Sequence, residues 1–154
     1  MLEDPLRILI VEARVFERIA DELLAGAKAA LNAAGAEVDV VSTPGELELP
    51  AVIAMAEEGG HRPAGARYDG YVALGCVIRG ETYRFEIVAS ESTRALMDLA
   101  IGRRLAIGNG ILTVDTEAQA MTRASAADAD RGGAAARACL AVIALRKRLL
   151  GAAR

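Results

Sequence analysis

The sequence predicts an α/β domain of three layers, α/β/α, with a parallel sheet of four strands carrying helices on both faces. Three observations lead there. Short β-branched apolar runs alternate with stretches of helical periodicity along the whole chain; parallel strands joined through helices need right-handed crossovers that cover both faces of a sheet; and 154 residues suffice for one domain with a sizeable core. One domain over residues 1–154 is expected, with residues 1–6 as a short N-terminal arm.

Arg7 to Val11 reads as the first buried strand. From Phe16 to Ala34 the residues Phe16, Ile19, Leu23, Leu24, Ala27 and Leu31 recur at helical spacing, and Gly35 stands where a left-handed cap belongs. Glu37 to Val41 alternates as a strand until Pro44-Gly45 breaks it. Thr43-Pro44-Gly45-Glu46 could open a helix as a capping box with Pro at N1, but Pro50 inside that helix would remove a hydrogen bond, so a loop is expected through Glu48, with Pro50 in the first turn of a helix that ends near Gly59-Gly60. The connection from Gly59 to Gly70 carries Gly, Pro and basic residues.

Tyr71 to Ile78 is the clearest buried strand. Gly80 ends it, Thr82 is expected as the next N-cap, and Phe85, Val88, Ala89, Leu96, Leu99 and Ala100 form one apolar helix face. Leu105 to Thr113 is the fourth strand, with Gly108 and Gly110 inside it. Thr116-Glu117-Ala118-Gln119 is a capping box, expected to open a helix ending near Ala127. After the polar break at residues 128–132, an Ala-rich helix is expected from Gly133 to Leu150.

Composition narrows the function. With 18 Lys+Arg against 21 Asp+Glu, net charge −3 and no basic stripe, nucleic acid is not an expected partner. Two cysteines and one histidine cannot form an ordinary four-ligand zinc site without carboxylates. No run approaches 18 uninterrupted apolar residues, and the opening Met-Leu-Glu-Asp-Pro has neither a basic nor an apolar leader region, so a cytoplasmic protein without membrane contact is expected. Free cysteines within apolar runs fit a reducing compartment.

Ligands of open parallel sheets bind beyond the carboxyl ends of the strands. That selects the loops Glu12–Phe16, Thr43–Glu48, Arg79–Arg84 and Thr113–Thr116. The Gly-x-Gly-x-x-Gly and Walker A cradles are both absent. Gly80-Glu81-Thr82 can turn the chain sharply and aim amides at an anion, or it is an ordinary strand-to-helix turn. Glu48, set among Leu47, Leu49 and Pro50, is either a carboxylate awaiting polyol hydroxyls or an exposed loop acid. Arg123 is a phosphate's cation or a solvated surface arginine, and Arg131 is a second anion contact or a charge at a helix start. His61 precedes a strand and therefore lies at the opposite end of the sheet. Cys76 reads as a buried strand residue with no histidine placed to activate it.

Pro44-Gly45-Glu46-Leu47-Glu48-Leu49-Pro50, Ala73-Leu74-Gly75-Cys76-Val77-Ile78-Arg79-Gly80-Glu81-Thr82, and Asn109-Gly110-Ile111-Leu112-Thr113 with Gln119-Ala120 and Arg123-Ala124 resemble the lumazine synthase family. The likeness runs from about Arg7 to Leu150. It implies a flavodoxin-like version of the fold and a condensation of 5-amino-6-(D-ribitylamino)uracil with 3,4-dihydroxy-2-butanone 4-phosphate to 6,7-dimethyl-8-ribityllumazine in riboflavin biosynthesis, without cofactor or metal. By resemblance, Glu81, Thr82 and Arg123 hold the substrate phosphate, with Arg131 at the place of a family lysine nearby. Glu46, Leu47 and Glu48 bind the ribityl chain and pyrimidine, and the backbone of Cys76, Val77 and Ile78 faces the pyrimidine edge. Asn109 matches a position contributed by a neighbouring subunit, which implies a site between subunits.

Two positions depart from the family pattern. The usual proton-transfer histidine is Arg84, whose guanidinium keeps its proton but can stabilise negative charge. The aromatic that stacks on the pyrimidine falls on Val15, with Phe16 one place later. A catalytically weakened homologue that binds flavin or lumazine is the alternative function; a flavodoxin-like electron carrier lacks its phosphate loop after the first strand. The family forms pentamers, some assembled into shells of twelve; the short arm and the 125–131 segment favour a free homopentamer.

Overall fold

The computed structural model describes residues 4–151, so residues 1–3 of the expected arm, like residues 152–154, lie outside the described residues. Its elements follow in the order β1 (Arg7–Ala13), α1 (Glu17–Ala33), β2 (Glu37–Thr43), a 3-10 turn (Glu46–Glu48), α2 (Leu49–Gly59), β3 (Gly70–Ile78), α3 (Arg84–Arg103), β4 (Ile107–Val114), α4 (Glu117–Ala124) and α5 (Arg131–Leu150). The four strands form one parallel sheet in the order β2-β1-β3-β4.

Side chains alternate across the sheet, which divides the core in two. On one face Ile8, Ile10, Val72, Leu74, Leu112 and Val114 pack with Ile19, Leu23 and Leu31 of α1 and with Ala136, Cys139 and Ile143 of α5. On the other, Leu9, Val11, Tyr71 and Ala73 pack with Leu49 and Ile53 of α2 and Leu96 of α3. The three expected layers are therefore present.

Aromatic side chains are scarce, so close backbone approach supplies much of the packing. At Gly108 in β4, a Cβ would come 1.9 Å from the Ala135 carbonyl oxygen, so α5 rests directly on the strand. Small Ala side chains on α5 allow the same approach from the helix side.

Several expected boundaries hold. Gly35 takes φ 75° after α1, Pro50 lies in the first turn of α2, and Thr116 and Gln119 form the reciprocal capping box of α4. Others shift. Helix α4 ends at Ala124, not near Ala127, because Ser125 turns extended. Helix α5 begins at Arg131, two residues early, because Asp130 caps it by accepting from the Gly133 amide at 3.2 Å. Thr82 is not the N-cap of α3: Tyr83 occupies that position in helical conformation, without a side-chain capping bond. The Thr82 hydroxyl instead meets the Arg84 amide at 3.4 Å.

Candidate active site

Strand lengths create the site. Pairing of β3 with β1 ends at Leu74, opposite Glu12, whereas pairing with β4 continues to Ile78. In β3 the odd-numbered amides face β4, as Tyr71 and Arg79 show by donating to Ala106 and Val114. Even-numbered residues face the other way. Beyond Leu74 the main-chain groups of Cys76 and Ile78 thus look away from β4 with no strand beside them.

The Glu46 carboxylate fills the first of these places. Its Oε2 accepts the Cys76 amide at 3.2 Å, and the side chain is only 6% exposed. Gly75 makes this possible, since a Cβ there would lie 2.8 Å from Glu46 Cγ. Burial, and then the charge of Glu48, push the Glu46 carboxyl above its ordinary pKa, while the amides of Cys76 and of Glu46 itself act the other way.

Around this point lies a cleft of about 490 Å³, a size suited to a small-molecule ligand. It is lined by the β1–α1 loop (Val15, Phe16), the β2–α2 loop (Pro44 to Glu48), the end of β3 (Cys76 to Ile78) and the start of α3 (Gly80, Thr82, Arg84, Phe85, Val88). Three of the four loops selected by the strand-end rule meet there. The fourth contributes no lining residue; its Asp115 pairs at 2.9 Å with Arg79, which also meets Glu86 at 3.0 Å and lies 4.6 Å from the Phe85 ring centre.

The first loop is fixed from below. Buried Glu12 accepts from Arg14 at 2.8 Å and from the Ser42 hydroxyl at 3.0 Å, and Arg14 also reaches Glu17 and Asp21. Held in this way, the loop presents both Val15 and Phe16 to the cleft. Across from it, the first turn of α3 has no side-chain cap from Tyr83; the Arg84 amide meets the Thr82 hydroxyl and the Glu86 amide donates to the Tyr83 carbonyl.

Of the residues singled out in the sequence, the cleft gathers Val15, Phe16, Glu46, Leu47, Glu48, Cys76, Val77, Ile78, Thr82 and Arg84. Glu81, Asn109, Arg123 and Arg131 are not among its lining residues. Asn109 lies on an exposed position of β4 with its Oδ1 accepting from the Ile111 amide at 2.9 Å. Among the described residues, Arg84, Arg123 and Arg131 have no side-chain hydrogen bond or ion pair, a state in which guanidinium is ready for an external anion. Glu48 is exposed, so Glu46 is the carboxylate in the apolar setting. His61 is far from the cleft, beside Glu57 at 3.3 Å.

Pro44, Gly45, Gly80, Phe85 and Val88 also line the cleft without having been singled out for it. Pro44, Gly45 and Gly80 sit in loops the strand-end rule had already selected. Phe85 and Val88 belong to the apolar face of α3, whose first turn overhangs the cleft. Burial first, then the charges of Glu46 and Glu117, push the Cys76 thiol up to about 12, so it remains a thiol at neutral pH. Among the described residues no group of three His, Cys, Asp or Glu side chains is placed to hold a metal, and no helix is long and apolar enough to cross a membrane.

The pattern of the 6,7-dimethyl-8-ribityllumazine synthases matches residues 5–147. The chain is 60% identical over 145 residues to "6,7-dimethyl-8-ribityllumazine synthase 1" of Rhizobium meliloti strain 1021, covering 94% of each chain. It is 58% identical over 144 residues to the Agrobacterium fabrum protein of the same activity name, covering 94% of this chain and 97% of that one. With the Bartonella tribocorum protein so named it shares 60% identity over 141 residues, 92% of this chain and 90% of the relative. A parallel four-stranded sheet, a cleft at the carboxyl ends of its strands and identity along nearly the full length agree: the chain belongs to the 6,7-dimethyl-8-ribityllumazine synthase family.

Proposed function

We propose that this chain is a transferase of riboflavin biosynthesis that condenses 5-amino-6-(D-ribitylamino)uracil with 3,4-dihydroxy-2-butanone 4-phosphate, releasing 6,7-dimethyl-8-ribityllumazine, phosphate and water. The observation that carries the reading is family membership across the whole domain, cleft included. The chemistry asks for imine formation, phosphate elimination, ring closure and dehydration, so the protein must hold two substrates together, move protons and stabilise an anion.

The cleft supplies matching groups. The open edge of β3, the Cys76 carbonyl and the main-chain groups of Ile78, offers hydrogen bonds to the pyrimidine with Val77 between them, and Val15 and Phe16 are apolar neighbours. Glu48, exposed on the loop next to Leu47, is placed to accept from ribityl hydroxyls. The positive end of α3 beside Glu81 and Thr82 suits the phosphate, with the Arg84 guanidinium at its first residue.

The remaining residues support a site shared between copies. Asn109, Arg123 and Arg131 lie outside the cleft of their own chain, and the exposed face of β4 that carries Asn109 is open to a neighbour. A cytoplasmic homopentamer accommodates this, with Asn109 entering the adjoining cleft and Arg123 and Arg131 contributing to phosphate binding.

The test is direct. Purified protein supplied with both substrates is expected to form lumazine faster than the spontaneous condensation, and product formation at the uncatalysed rate would overturn the reading. Sedimentation is expected to give about five chain masses, whereas a shell-sized particle of about a million daltons would overturn the free pentamer.

A further inference from the structure

Four titratable side chains line the cleft: Glu46, Glu48, Cys76 and Arg84. Three are poorly suited to passing a proton to a bound substrate. Arg84 carries a guanidinium, a group that donates hydrogen bonds and holds charge rather than passing protons. Cys76 remains a thiol. Glu48 is solvated on the exposed part of its loop, where water competes for it.

Glu46 differs in each respect. Its carboxyl is buried, sits on Gly75 and is oriented by the Cys76 amide, at the point where β3 loses its strand partner. The groups acting on it are Glu48 on its own turn and the Cys76 amide from β3; Arg84 at the start of α3 lines the same cleft, and Glu117 of α4 acts on Cys76 behind it. A carboxyl that water cannot freely solvate, set on the edge that would read the pyrimidine, is well placed to exchange protons with that ring's amino substituent.

We propose that Glu46 is a catalytic acid and base of the condensation, exchanging protons with the substrates where the family's histidine is replaced by Arg84. The inference rests on the proposed reaction. After the uracil amine has added to the butanone carbonyl, protonated Glu46 gives its proton to the carbinolamine hydroxyl. The C–O bond breaks and water leaves, while the nitrogen lone pair forms the C=N bond. The iminium N–H proton then returns to the Glu46 carboxylate, so the acid is regenerated and no redox partner is needed. Arg84 holds negative charge near the phosphate and takes no part in the proton exchange.

Glu46→Gln keeps the shape and an oxygen for the Cys76 amide but cannot exchange a proton. Initial rates of lumazine formation for wild type, Glu46→Gln and Glu46→Asp across about pH 5 to 9, with circular dichroism and the affinity for the pyrimidine substrate alone, test the role. The Gln variant is expected to lose about 10²-fold in kcat, with KM and pyrimidine affinity within about threefold and the alkaline limb of the kcat profile abolished. The Asp variant is expected to keep that limb at reduced kcat.

A Gln variant with kcat within about threefold of wild type, with the alkaline limb intact, or with losses confined to KM and affinity would overturn the proposal. If the Gln variant does not fold, the Asp variant decides: reduced kcat with the limb kept supports the role, and wild-type kcat overturns it. Wild type that forms no lumazine would instead remove the condensation reading itself, a result distinct from an active enzyme indifferent to Glu46.

Discussion

Gly132 at the start of α5 lies against the main chain of Leu23 in α1: a Cβ on Gly132 would stand 2.1 Å from the Leu23 carbonyl oxygen. Both partners are backbone, so no rotamer change relieves the clash. Gly132→Ala is expected to destabilise the fold by about 2 kcal/mol or more, although Ala is the better helix former elsewhere. Urea unfolding at fixed protein concentration measures this, and an unchanged midpoint would refute the close crossing.

Glu46 makes stability fall as pH rises. Its folded pKa is raised, so between the ordinary carboxylate value of about 4.3 and the raised value the native chain holds more proton than the unfolded one. The stabilising preference for the neutral form is complete below that window and lost above it. Thermal melts from about pH 4 to pH 7 should show this downward slope in wild type and lose it in Glu46→Gln. An unaltered slope in the variant would place the effect elsewhere.

Restoring histidine at position 84 separates two accounts of the missing imidazole. With Glu46 exchanging protons, Arg84→His is expected to change kcat by no more than about threefold. A gain of about tenfold or more would show that wild type lacks a proton-transfer group.

The two cysteines, Cys76 and Cys139, should be silent toward thiol reagents in the native protein. Each is buried, and burial pushes each thiol up to about 12, leaving roughly one molecule in ten thousand ionised at pH 8. Labelling with a chromogenic disulfide should be slow before denaturation and reach two thiols per chain afterwards. Fast modification of Cys76 would mean that the cleft floor opens.

The layered fold was legible because its signals are local. The apolar run in β3, the periodicity of α1 and the Thr116–Gln119 capping box each act within a few residues. Helix starts set by distant packing were harder to place: α5 begins at Arg131 because Asp130 turns left-handed to cap it, in a crossing with α1 that spacing alone does not reveal. The site shows the same division. Motifs brought ten of the named residues to one cleft, but choosing between Glu46 and Glu48 as the buried acid required knowing that Gly75, on a strand about thirty residues away, provides the seat. Asn109, Arg123 and Arg131 are placed by motif alone, and a single chain does not bring them into its cleft.

The unequal reach of β1 and β4 along β3 has an evolutionary consequence. Where a strand outruns one neighbour, its free peptide groups persist under nearly any side chain, so the hydrogen-bonding edge is inherited with strand length and tolerates drift at Cys76 or Ile78. Selection can then act on the loops that decide which chemistry meets that edge. A chain can keep this hydrogen-bonding edge while the residues that surround it, Arg84 among them, change.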